Sequence, residues 1–119
     1  MLPNEKEIME TEISVELLRQ IVESVFGTMM SLPVSPSDAP WSQAGDRLTS
    51  SVYLTGDWNG AVLLDCNPRQ ACDFAGRILC MDPPDIVDDD VRDVLGELAN
   101  MIGGNMKCGM AAGVRPPED

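Results

Sequence analysis

The chain has 119 residues and a net charge of −12, from eight basic and twenty acidic side chains, and it has no histidine. That length suits one small domain with a modest core, burying about two-thirds of the surface its unfolded chain exposes. The negative field repels nucleic acid and anionic membrane, and the missing histidine excludes Ser-His-Asp and Cys-His hydrolysis within one chain, along with histidine-based metal sites.

Residues 1–13 read as an acidic lead-in. Ser14 is a candidate N-cap, with Glu16 where a helix dipole favours negative charge. Leu18, Ile21, Val22, Val25, Phe26 and Met29 then follow the spacing of an amphipathic helix, which Pro33 stops. Pro33 to Arg47 is rich in Pro, Ser, Asp and Gly and predicts a loop. Leu48 to Thr55 and Ala61 to Cys66 are short strand-like runs around the turn residues Gly56-Asp57-Trp58-Asn59-Gly60, which predicts a β-hairpin. Asn67-Pro68 is an N-cap followed by an N1 proline. The helix it opens turns Ala71, Phe74, Ala75, Ile78 and Leu79 inward and ends at Asp82-Pro83-Pro84. A third helix is expected from about Asp88 to Lys107. Asp88, Asp89 and Asp90 in its first turn read as dipole compensation rather than metal binding. Gly109 to Asp119 is expected to be a loose, small-residue tail.

The remaining composition narrows the chemistry. Cys66, Cys72, Cys80 and Cys108 have no C-x-x-C spacing and read as buried, reduced thiols acting as small hydrophobes. Met29, Met30, Met101 and Met106 read as core filler. The opening MLPNEKEIMETE is acidic and polar, unlike a signal peptide, and no apolar run approaches the roughly 20 residues of a membrane span. A cytoplasmic protein is expected. Any reaction must use carboxylates, amides, hydroxyls, thiols or a partner's groups.

On a helical wheel, Val91, Val94, Leu95, Leu98, Ile102 and Met106 share one face of the third helix, which must be buried. Asp93, Glu97, Asn100 and Gly104 fall on the opposite face. Glu97 and Asn100 are i, i+3 neighbours, so a carboxylate and a carboxamide project side by side. Gly103 and Gly104 each cost about 1 kcal/mol relative to alanine inside a helix. Two explanations stand open for them: close packing on a neighbouring element, or clearance for an approaching partner.

GELANMIGGN, from Gly96 to Asn105, closely resembles the signature helix of the CheX/CheC family of chemotaxis phosphatases, in which a Glu-x-x-Asn pair precedes a glycine and a second asparagine. The hairpin around LTGDWNGAVLLD, the NPRQACDFAGRILCM helix and the DDDVRD lead-in resemble the same family, so the likeness covers most of residues 14–108. It implies an α+β, CheC-like fold: an antiparallel sheet, with the hairpin as its visible part, packed against long helices. Family members continue into further strands after the signature helix, and Gly109 to Asp119 has no strand pattern, so the chain is expected to lack them.

The resemblance implies dephosphorylation of the phosphoaspartate of a CheY-like response regulator, in chemotaxis or a related two-component pathway. Glu97 would dock against a lysine beside the phosphoaspartate, and Asn100 would orient the attacking water. Asp93, Gly103, Gly104 and Asn105 would join the partner-binding surface. No metal site or cofactor is expected on this chain, because the Mg²⁺ ion would belong to the regulator. A homodimer is a further expectation. The rival reading is a non-catalytic module that docks on a regulator, similar to the related flagellar switch proteins, and a third is a structural oligomerisation domain. Aligning Glu23 with Glu97 places Phe26 opposite Asn100, which would make the first helix a degenerate second copy of the site; the alternative is chance similarity, with Phe26 on its helix's apolar stripe as core. Trp41 and Trp58 are candidate partner contacts, with packing back on the hairpin as the alternative for Trp58.

Overall fold

A computed structural model describes residues 5–39, 45–56 and 59–114, with side chains from residue 15 to residue 109 within those spans. The elements run α1 (Glu5–Met30), β1 (Leu48–Leu54), β2 (Gly60–Cys66), α2 (Pro68–Leu79) and α3 (Asp89–Val114). This is the expected α+β arrangement, an antiparallel hairpin and three helices. Trp41 and Trp58 lie outside the described residues.

Strands β1 and β2 pair antiparallel in a register that sets Val52 opposite Val62, Leu48 opposite Cys66 and Leu54 opposite Gly60. Their period of two puts Leu48, Val52, Leu54, Val62, Leu64 and Cys66 towards the helices. Tyr53 and Leu63 point the other way and stay exposed. At the open end of the hairpin, Arg47 Nε donates to Asp65 Oδ1 at 3.3 Å across the two chain directions.

Helix α3 is the element that every other one packs against. Val91, Val94, Leu95, Leu98, Ile102 and Met106 are all buried, as the wheel requires. Helices α1 and α2 cover one side of this stripe and the hairpin covers the other. Phe26 and Phe74 close the junction of α1 and α2 edge to face, with ring centroids 5.4 Å apart. Arg77 of α2 donates to the Met30 carbonyl at 3.2 Å, a cation at the C-terminal end of α1.

The helix ends follow from local chemistry. Asn67 caps α2 through a complete capping box: its Oδ1 accepts from Gln70 N at 2.8 Å, and Gln70 Oε1 accepts from Asn67 N at 3.0 Å. Asp88 Oδ1 accepts from Val91 N at 2.9 Å and caps α3. Helix α1 closes with Ser31 in the left-handed region at φ 52°.

Several expectations need correction. Helix α1 begins at Glu5, so Ser14 lies inside it rather than at its cap; residues 5–13 contain neither Gly nor Pro to prevent the helix. Helix α3 continues beyond Lys107 to Val114, and residues 115–119 lie outside the described ones. The continuation has a tertiary reason. A Cβ at Gly109 would meet Leu17 Cδ2 at 2.7 Å, so α1 lies hard against α3 there. Cys80 and Cys108 are exposed, while Cys66 and Cys72 are buried. Leu79 and Met29 are exposed rather than core. Cys72 is buried in α2 as its reading as a small hydrophobe expects, and Gly76 takes a buried place there that the sequence did not mark.

Burial pushes both the Cys66 and Cys72 thiols above the usual range, which lowers their thiolate fraction at neutral pH. The native protein should therefore give two fast thiol equivalents with a disulfide reagent, from Cys80 and Cys108. The other two should react only after denaturant is added. Four fast equivalents in the native state would contradict this packing.

Candidate functional site

Because the stripe from Val91 to Met106 is buried, the opposite side of α3 faces solvent from Asp93 to Lys107. Asp93, Glu97, Asn100, Gly104 and Lys107 are all exposed and follow one another at steps of four, three, four and three residues. Such steps keep residues on a single strip of a helix with about 3.6 residues per turn. Glu97 and Asn100 are adjacent on it, with a rise of about 4.5 Å between their backbones. Neither side chain makes a hydrogen bond or ion pair with another described residue. Both polar groups are therefore free to meet something from outside.

The expected partner-binding residues separate. Asp93 and Gly104 lie on the strip with Glu97 and Asn100. Gly103 does not: it is buried, and a Cβ there would meet Val52 Cγ1 of β1 at 2.9 Å. Its place is the contact between α3 and the hairpin, so the expectation of a docking role for Gly103 is corrected to close packing. Gly104, one residue on, is different: a Cβ there would meet nothing within 4 Å, so the helix gains no packing from its being glycine. Asn105 is exposed on the flank, where its Nδ2 donates to the Met101 carbonyl at 2.7 Å. That bond ties the carboxamide to its own helix.

On α1 the structure bears out the core reading of Phe26. Phe26, aligned with Asn100, is buried in the core against Phe74. Glu23, aligned with Glu97, accepts from Arg19 Nη1 at 2.7 Å. Glu16 also accepts from Arg19, which holds its carboxyl below the usual range. Arg19 thus engages the acidic groups of that face.

The strip on α3 is convex. Hollows lie elsewhere: one between the start of α2 and residues 83–87, and others along α1. None of these is lined by Glu97 or Asn100. Small-molecule sites are concave and enclose their ligand, so a pair displayed on a ridge suits a macromolecule that brings its own cavity. Among the described residues no group of three or more His, Cys, Asp or Glu side chains could hold a metal ion. No described helix is long and apolar enough to cross a membrane.

The family described as chemotaxis phosphatase CheX matches residues 48–117, more than half of the chain. The chain belongs to the CheX family. The match takes in the hairpin, α2 and the described length of α3 with Glu97 and Asn100, and leaves α1 outside. No curated protein and no solved structure matches the chain. Membership in CheX associates the chain with phosphatase chemistry in chemotaxis.

Lys107, which the sequence pattern uses only to mark the end of the helix, lies on the Glu97–Asn100 strip. Its signal is in the spacing: it stands three residues after Gly104 and seven after Asn100.

The two neighbouring glycines provide a direct check of the face assignment. Gly104→Ala should raise stability by about 0.5–1 kcal/mol, the ordinary helix-propensity gain in open space. Gly103→Ala should lower it by about 1–2 kcal/mol, because the overpacking against Val52 exceeds that gain. Thermal melts of the two variants should move in opposite directions. Equal shifts would mean that α3 is rotated relative to the hairpin.

Proposed function

We propose that the outward strip of α3 docks on a CheY-like response regulator and promotes hydrolysis of its phosphoaspartate. The observation that carries this reading is the free Glu97–Asn100 pair on a convex surface of a CheX-family chain. In the reaction, water attacks phosphorus and the P–O bond to the aspartyl carboxylate breaks, yielding inorganic phosphate and free aspartate. The carboxylate is a good leaving group, so no acid on this chain is required. What remains is positioning and charge stabilisation.

Asn100 suits the positioning role. Its carboxamide has an oxygen that accepts from the water and an NH₂ group that donates to a phosphoryl oxygen. It does not titrate near neutral pH, so it orients the water and does not remove its proton. Glu97, one turn earlier, places a negative charge beside that point and suits a lysine of the regulator. Asp93 extends the acidic end of the strip. Gly104 leaves room on the far side of Asn100 for the regulator to approach closely. The Mg²⁺ ion that phosphoryl transfer uses belongs, in this reading, to the regulator. A homodimer completes the proposal: the outer edge of β2 is unpaired among the described residues, and the apolar groove beside it is lined by exposed Val15, Leu18 and Leu63.

Phosphate release from a phosphorylated CheY-like receiver of the same organism tests the reading. Asn100→Ala should lower kcat by on the order of 10²-fold, as expected when a group that positions the reacting atoms is deleted. Docking should persist and the fold should be intact, since Asn100 is exposed and alanine favours helix. Glu97→Ala should weaken docking and rate together. Phosphorylation-dependent binding by the wild-type chain without accelerated release would replace the enzyme with a docking module. An unfolded Asn100→Ala variant would contradict the exposed placement of the residue.

A further inference from the structure

We propose that Lys107 is the residue through which this chain senses the phosphoryl group itself, its ammonium reaching across Gly104 to the anion held at Asn100. The inference rests on the docking reading above and assigns that site a cation. Three observations support it.

Lys107 is the only cation on the outward strip: of the two basic residues in α3, Arg92 is engaged with Asp89 at 3.5 Å and stands off the strip. Lys107 itself has no hydrogen bond or ion pair with a described residue, which it shares with Arg69 on α2, whereas Arg19, Arg47, Arg77 and Arg92 are engaged. In a chain of net charge −12 an unpaired lysine has many carboxylates available to it, and this one is paired with none among the described residues.

The second observation is direction. Side chains on a helix lean towards its N-terminus. From Lys107 that direction leads over Gly104 and on to Asn100, about 10 Å back along the axis. A lysine ammonium on its flexible four-carbon stem covers much of that distance. The third observation is the lane. Gly104 lies between the two residues on the same strip, and the space where its side chain would be is open. Any larger residue there would stand between the ammonium and Asn100. The glycine cost, unexplained by packing on this side of the helix, is explained by keeping that path clear.

The strip then has a polarity: Asp93 and Glu97 at one end, the neutral carboxamide in the middle, and Lys107 at the other. A regulator can dock in only one direction along it. Its lysine faces Glu97, and its doubly negative phosphoryl group lies between Asn100 and Lys107. Lys107 is the feature that makes affinity depend on the phosphoryl group rather than on the protein surface alone.

The test is the affinity of the full chain for a CheY-like receiver, measured with and without beryllium trifluoride as the phosphoryl stand-in. The wild type should prefer the loaded receiver. Lys107→Ala should lose about tenfold in affinity for the loaded form, the scale of one charge-assisted hydrogen bond at a solvent-accessible site. It should leave the unloaded form unchanged, and Lys107→Arg should restore the preference. Circular dichroism should show unaltered helix content. If Lys107→Ala weakened both forms equally, or neither, Lys107 would not sense the phosphoryl group and the inference would fall while the docking reading stood. If the wild type bound both forms alike, the inference would likewise fall while docking stood; if it bound neither form, the docking reading itself would fail, and the role of Lys107 with it.

Discussion

The fold depends on the burial of one stripe of one helix. Val91, Val94, Leu95, Leu98, Ile102 and Met106 turn inward along α3, and Leu98 and Val91 are completely enclosed. Each such side chain contributes about 1.5–3 kcal/mol when taken from water. Rotating the helix would forfeit most of that total at once. The stripe therefore fixes the rotational setting of α3, and with it the residues on the other side. Glu97 and Asn100 face outward because the positions opposite them cannot. Helices α1 and α2 and the hairpin serve this arrangement by covering the stripe, and the close contacts at Gly103 and Gly109 lock α3 against β1 and α1.

A ridge displaying a carboxylate, a carboxamide and an ammonium has few uses as a self-contained enzyme site. It has no enclosing walls and, among the described residues, no cluster of metal ligands. Hydrolysis of an acyl phosphate on another protein asks for less. The leaving group needs no acid, the metal in the proposed reading belongs to the substrate protein, and the missing element is an oriented water molecule. An amide on a rigid helix can supply that orientation, since the buried stripe holds its backbone in place. The strip's charge gradient adds direction to the docking. Exposure, which would weaken a conventional active site, suits the proposed insertion of the ridge into a partner's cavity.

Much of this was legible in the sequence because helices write their burial at a fixed period. The six buried positions of α3 and the exposed Glu97–Asn100 pair follow from spacing alone, and the Asn67-Pro68 start of α2 from cap chemistry. What escaped was set by tertiary contact. Gly103 and Gly104 carry no side chain to declare a side, so only the position of Val52 separates a packing glycine from a clearance glycine. Helix α3 continues past Lys107 where α1 meets it at Gly109, far away in sequence. Asn105 reads in sequence as a second docking amide, and only its bond to Met101 accounts for it otherwise. Cys80, by contrast, follows the last turn of α2 in the left-handed region at φ 55°, a place where a thiol is exposed by backbone geometry rather than by hydrophobicity.

In the proposed complex the regulator meets this chain on the outward strip of α3. At 12.9 kDa the chain is well suited to amide NMR. Titrating the labelled protein with a beryllofluoride-loaded receiver should shift the resonances from Asp93 to Lys107 that lie on the strip. Those of the hairpin's exposed face, around Tyr53 and Leu63, should stay where they are. Perturbations centred on Tyr53 and Leu63, with Glu97, Asn100 and Gly104 unmoved, would contradict the account and transfer the docking surface to the sheet.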